Sequence, residues 1–239
     1  MITIAISPIG KSPFSVLIER QDLTTSITAK MNVRADQYGI NISDKIFISL
    51  DNAETWDPKM LQFPQTFSLK ASSAELLFES TQWFEPTFKN SNDKYVIDKL
   101  NAGADQLQHA LINRHPIKRS VEYLAGLGFG LTPSGDDYLL GVMASLWITK
   151  NTHFLDEIAR LSSQKTTSLS AAYLIAASKG DFAECWHDLV QSVLYQDPKT
   201  LRDSISEFMQ IGASSGQDAM AGFSTQILKS KFSLNMVQN

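Results

Sequence analysis

The chain of 239 residues has one cysteine, four histidines and no excess of positive charge. Cys185 alone excludes an internal disulfide and a metal site built from several cysteines. His109, His115, His153 and His187 lack metal-ligand spacing. With 21 Lys and Arg against 25 Asp and Glu, the net charge is −4, so the electrostatic footprint of a nucleic-acid binder is missing. The small Arg114–Arg119 cluster reads as a solvated helix end. No apolar run approaches the roughly 20 residues of a membrane span. The first residues, Met-Ile-Thr-Ile-Ala-Ile-Ser-Pro, carry no basic region or long apolar core, so the expected location is the cytosol. The familiar catalytic loops are absent too. Gly126-x-Gly128-x-x-Leu131 fails the dinucleotide fingerprint, no Walker lysine occurs, and there is no nucleophile elbow. Cys185 and His187 are two apart on a predicted helix and face different ways, which makes Cys185 a core residue rather than a nucleophile.

What is present divides into two textures. Residues 1–90 hold short β-prone runs, best in Phe14–Arg20, Ser26–Val33 and Lys45–Leu50, where Phe47 alternates with Ile46 and Ile48. Pro58, Pro64 and Pro86 punctuate the end of this half. From about residue 92 the period becomes helical. Val96, Leu100, Ala104, Leu107 and Leu111 share one helix face, and Asp93 is a start signal. Further helices are expected at 117–126, 134–150, 153–163, 168–179, 181–195, 199–211 and 215–230, with breaks at Gly180-Asp181 and Asp197-Pro198. The expected fold is α+β: a small, mainly antiparallel β domain over 1–90, then a compact all-helical domain over 91–239. Pro86 and Asn90-Ser-Asn92 suggest the junction, and Trp83-Phe84 would lie beside it.

Residues 128–141, Gly-Phe-Gly-Leu-Thr-Pro-Ser-Gly-Asp-Asp-Tyr-Leu-Leu-Gly, are the densest concentration of special residues. A second copy of Ser-Gly-x-Asp-x-x-x-Gly follows 81 positions later, from Ser215 to Gly222. Ser134/Asp137 and Ser215/Asp218 have the spacing of a capping box, which needs no further role. Yet Gly135 and Gly216 sit inside a helix start, where glycine costs about 1 kcal/mol relative to alanine. That cost makes sense if something approaches the backbone closely. Gly141 and Gly222 stand one turn after Asp137 and Asp218 and leave room for a second helix or a ligand. Gly128, Gly130 and Thr132 add a flexible lead-in. Helix starts with unpaired N–H groups attract phosphate and carboxylate. Asp136 and Asp137 would repel such an anion unless they hold Mg²⁺ or orient an amide or ammonium group. Thr166, Thr167 and Ser170 open another helix, where Thr167 or Ser168 reads first as a plain N-cap and second as a third helix start facing the same ligand.

The Leu-Thr-Pro-Ser-Gly-Asp-Asp string at 131–137 resembles the signature of the AllH-like proteins associated with oxamate carbamoyltransferase. Thr166-Thr167-x-x-Ser170 and Gly212-x-Ser-Ser-Gly-x-Asp218 resemble later blocks of that family in the same order, and the likeness spans about residues 100–225. The resemblance implies a subunit of a multi-subunit enzyme of allantoin (purine) catabolism that converts oxalurate and phosphate into oxamate and carbamoyl phosphate. On that expectation Gly128, Gly130, Thr132, Ser134, Gly135, Thr166, Thr167, Ser215 and Gly216 bind the anion. Backbone N–H groups over Ser134–Asp136 would stabilise the developing oxyanion. Asp136, Asp137 and Asp218 would position the carbamoyl amide or a metal. Two rival readings remain: a non-catalytic ligand-sensing or assembly subunit, and a purely structural motif in which Gly141 and Gly222 let two helices cross.

Overall fold

The computed structural model describes residues 2–6, 10–19, 27–81 and 91–230. Trp83-Phe84, Pro86 and Asn90 lie outside them. Two compact units divide between Asp57 and Pro58.

The first unit is built from short strands. β1 (Thr3–Ile6) pairs with β2 (Ser15–Ile18) in parallel, with Thr3 opposite Ser15 and Ile6 opposite Ile18. β3 (Val33–Ala35), β4 (Gly39–Ile42) and β5 (Ile46–Ser49) form an antiparallel sheet in that order. Side-chain capping sets its corners. Asp36 Oδ1 accepts from the amides of Tyr38 at 2.8 Å and Gly39 at 3.1 Å. At the next corner Ser43 and Asp44 are both left-handed, as a tight hairpin requires, and Lys45 N–H donates to Ile42 O at 3.1 Å. Ile40 and Ile42 are buried, whereas Phe47 is exposed beside half-buried Ile46 and Ile48, in the expected phase. Two details differ from expectation. β4 had no sequence signal beyond Ile40 and Ile42. Of the Ser26–Val33 candidate, Ser26 lies outside the described residues, and of the rest only Val33 is in a strand, where β3 begins.

The second unit is helical. The lead-in at 58–70 is strapped to the helices by backbone bonds: Met60 N–H to Gly180 O, Phe63 N–H to Ile148 O, and Phe182 N–H to Pro58 O, all at 2.8–2.9 Å. Trp147 Nε1 donates to Met60 O, and the Lys59–Asp181 ion pair closes at 2.7 Å. Met60, Phe63 and Leu69 are buried in the helical core. Residues 58–79 therefore pack with the helices, although their prolines and lack of long periodicity had grouped them with the β half. α1 (Ala71–Glu79), unexpected from sequence, buries Ala74, Leu76 and Leu77.

α2 (Ser91–Asn113) turns Leu100, Ala104, Leu107 and Leu111 inward, as the spacing predicts, and Asp93 lies in its first turn. α3 (Lys118–Leu124), α4 (Ser134–Ile148), α5 (Leu155–Ser162), α6 (Ser168–Ser178), α7 (Glu184–Tyr195), α8 (Pro198–Met209) and α9 (Ser215–Leu228) follow the expected helices closely. Pro198 occupies the first turn of α8, and Asp197 caps it by accepting from Thr200 N–H at 2.9 Å. α4 is buried along nearly its whole length, as a helix apolar all round must be. It runs through the middle of the unit with α9 as its principal neighbour. Cys185 is partly buried in the core, and burial pushes its thiol up to about 12, in keeping with a packing role. Among the described residues no helix is long and apolar enough to cross a membrane.

Candidate functional site

The two motif copies open α4 and α9, and the glycines show how these helices meet. A Cβ on Gly141 would stand 1.9 Å from Ala219 O, and one on Gly222 would stand 2.1 Å from Tyr138 O. Ala219 and Tyr138 are themselves equivalent positions 81 apart. Each helix therefore offers its glycine to the same carbonyl of the other, an approximate two-fold arrangement that only glycine permits. The helix starts repeat the pattern. A Cβ on Gly135 would lie 2.0 Å from Leu124 O, and one on Gly216 would lie 2.1 Å from Phe208 O. Gly135 N–H donates to Leu127 O at 2.8 Å, and Gly216 N–H donates to Ile211 O at 3.0 Å. The chain thus contains the same helix–turn–helix corner twice, as α3–α4 and as α8–α9.

These contacts correct two expectations. What approaches Gly135 and Gly216 is a carbonyl in the last turn of the preceding helix, so both glycines are required by packing. The amides of Gly135 and Asp136 are also occupied, the latter by Pro133 O at 2.8 Å, and cannot serve as an oxyanion hole in this conformation. The capping boxes do not form either. The cap positions are Pro133 and Ser214, and neither makes a side-chain cap bond. Ser134 and Ser215 are the first helical residues, and their hydroxyls turn across the helix pair. Ser215 hydrogen-bonds the Asp137 carboxyl, and Ser134 hydrogen-bonds that of Asp218, again a reciprocal exchange. Thr132 joins through a 2.9 Å bond between its hydroxyl and that of Ser215.

Asp136, Asp137 and Asp218 are all buried. Burial raises the Asp137 carboxyl to about 8; Ser215 and Thr132 oppose the shift, and the charges of Asp218 and Asp136 add to it. Burial likewise raises Asp218, against hydrogen bonds from Ser134 and Ser214. Asp137 Oδ2 and Asp218 Oδ2 are buried without a hydrogen-bond partner. Such atoms are uncommon in folded proteins because each forfeits its solvation.

Asp136 does different work. Its Oδ1 accepts from Gly126 N–H at 2.9 Å, and its Oδ2 accepts from the Thr166 hydroxyl. Burial raises its pKa and these bonds, with Ser170, pull it back. With both oxygens engaged by the chain, Asp136 leaves no pair of open carboxylates for Mg²⁺ with Asp137. No trio of His, Cys, Asp or Glu placed for a metal ion occurs among the described residues. Thr167 is the cap of α6, accepting from Ser170 N–H at 3.1 Å, and its hydroxyl also donates to Leu131 O at 2.6 Å. The α6 start therefore joins the α4 start, while α9 joins it from the other side. Gly126, Leu131 and Ser214 belong to this cluster, although none of them was among the expected ligand-binding residues.

The lead-in loop stands outward. Gly128 and Gly130 are left-handed at φ 128° and 88°, and nothing lies near a Cβ built on Gly130. Phe129 and Leu131 are 70% and 73% exposed. Of the residues singled out from sequence, Thr132, Ser134, Asp136, Asp137, Thr166, Thr167, Ser215 and Asp218 converge around the two helix starts. Gly128 and Gly130 shape the loop above them.

Residues 124–227 match the family model for the oxamate carbamoyltransferase subunit AllH, the family that the motif strings resemble. The matched stretch opens on the last residue of α3 and closes within α9, so it contains both corners. No solved structure matches the chain.

Proposed function

We propose that this chain is a subunit of a carbamoyltransferase-type enzyme that uses phosphate to cleave oxalurate into oxamate and carbamoyl phosphate, with its ligand held where α4 and α9 begin. The observation that carries the site is the pair of buried, unpartnered oxygens on Asp137 and Asp218. Two such atoms on symmetry-related positions, set among the hydroxyls of Thr132, Ser134 and Ser215, are a place for a ligand that brings N–H donors. A carbamoyl NH₂ group has that chemistry. The family match, not the geometry, supplies the choice of carbamoyl transfer.

In the reaction a phosphate oxygen attacks the ureido carbonyl carbon. The bond from that carbon to the oxamate nitrogen breaks, and a proton moves to the nitrogen. Asp137, raised to about 8, is protonated at neutral pH and is the acid at hand. Asp218 orients the NH₂ group. The hydroxyls of Thr132, Ser134 and Ser215 meet the anionic oxygens, while Asp136, Thr166 and Thr167 hold the loop and the α6 start in place.

The test is phosphorolysis of oxalurate by the purified chain alone and with candidate partner subunits. The complete complex should turn over, and Asp137→Ala should lower kcat by about 100-fold or more. Absence of turnover in every combination sinks the proposal. A second reading, an assembly or ligand-sensing subunit, is favoured by exposed Phe129 and Leu131, an apolar tip suited to a protein partner. Calorimetry with phosphate and carbamoyl phosphate separates the two. Binding by this chain, with Asp137→Ala leaving turnover of the complete complex unchanged, supports the second.

A further inference from the structure

We infer that a cavity of about 320 Å³ between α1, α2, α4 and α9 binds a small carboxylate that also carries N–H donors, an amino acid or its N-carbamoyl derivative. The cavity is separate from the helix starts and does not depend on the function proposed above. Its polar lining comes from four elements. Asn101 and Asp105 project from successive turns of α2, Tyr138 comes from α4, Thr225 and Lys229 from successive turns at the end of α9, and Thr81 follows α1. Phe78 and Leu228 supply an apolar wall.

The charges set the ligand class. Asp105 and Lys229 are the acid and the base of this lining, and neither is in an ion pair among the described residues. An acid and a base that line one cavity without neutralising each other leave both for a ligand of opposite polarity. Lys229 takes the carboxylate, and Asp105 with the Asn101 carbonyl takes the N–H groups. One side of the cavity is pre-set. The buried Tyr138 hydroxyl accepts from Gln108 Nε2 at 3.2 Å and hydrogen-bonds Thr225, which fixes the phenol before any ligand arrives. Size narrows the class further. The volume is equivalent to about ten waters, at the small end of ligand pockets. An amino acid or ureido acid fits it.

Calorimetry of the full chain with glycine and with N-carbamoylglycine at millimolar concentration tests the assignment, and the two arms distinguish an amino from a ureido ligand. At least one should bind, and Lys229→Met and Asp105→Asn should each weaken it by about tenfold or more. Both side chains are exposed, so these variants should keep the wild-type circular dichroism spectrum and melting curve. The inference is overturned if neither compound binds or if both variants bind as wild type does. It is also overturned if Asp137→Asn abolishes binding while Lys229→Met leaves it intact, which would place the ligand at the helix starts.

Discussion

The α3–α4 and α8–α9 corners are two versions of one design, and their differences bear on the proposed function more than their likeness does. Both place a glycine against a carbonyl in the last turn of the preceding helix, both bond that glycine's amide back to the turn, and both aim an aspartate at the serine opening the other helix. These shared features build a close helix crossing. The first corner then adds what the second lacks. Its connection from Leu127 to Gly135 is three residues longer than that from Ile211 to Gly216, and carries the exposed Phe129-Gly130-Leu131 tip. It also has Asp136 tied to Gly126 and Thr166, where the second corner has Gln217, which lines a groove beside α1 and α8. Repetition reports on packing, and the asymmetric additions are what the proposed site has at one corner alone.

The largest expected effect tests the crossing. Gly141→Ala and Gly222→Ala each drive a methyl group into a backbone carbonyl, which cannot move as a side chain would. Each should destabilise by about 3 kcal/mol or more in urea unfolding. A mild effect at either one breaks the two-fold equivalence. Gly135→Ala and Gly216→Ala should follow at about 2–3 kcal/mol, equal within error, because their clashes are alike.

The carboxyls come next. Asp137 is raised to about 8 in the folded chain, against about 3.9 when unfolded. Between these values the folded state holds a proton that the unfolded state has lost. Stability therefore falls as pH rises from about 4 to about 8. Asp137→Asn mimics the protonated form and should raise Tm more at pH 8 than at pH 5 in scanning calorimetry. Equal shifts at both would show that Asp137 does not titrate in this window.

Asp136→Ala tests the asymmetry. It strands Gly126 N–H and the Thr166 hydroxyl and should cost about 1–3 kcal/mol. The matching Gln217→Ala should stay within about 0.5 kcal/mol in the same urea assay. Between these two falls Thr167→Ala, at about 1 kcal/mol for the lost cap.

Legibility in the sequence followed the range of the forces involved. The helices from α3 to α9 were readable because apolar period, Gly180, Pro198 and the cap at Thr167 act within a few residues. The strap at 58–70 was not, because its partners Ile148 and Gly180 are far away in sequence and its own composition is that of a loop. β4 was hidden for the same reason: its register comes from β3 and β5, not from its own four residues.

At the site, the Ser-Gly-x-Asp-x-x-x-Gly spacing by itself determined that two helices begin alike, that each carries a glycine one turn after an aspartate, and that acid and hydroxyl groups concentrate there. It did not determine which serine serves which aspartate. Spacing within one helix suggested local capping boxes, whereas the fold crosses the partners between helices, since α4 and α9 touch along their glycines and bring Ser215 to Asp137 and Ser134 to Asp218. Burial was decided at the same level. An aspartate at a helix start is ordinarily solvated, and only the packing of α3, α6 and α9 around α4 removes water from Asp136 and Asp137 and leaves Asp137 Oδ2 and Asp218 Oδ2 without partners.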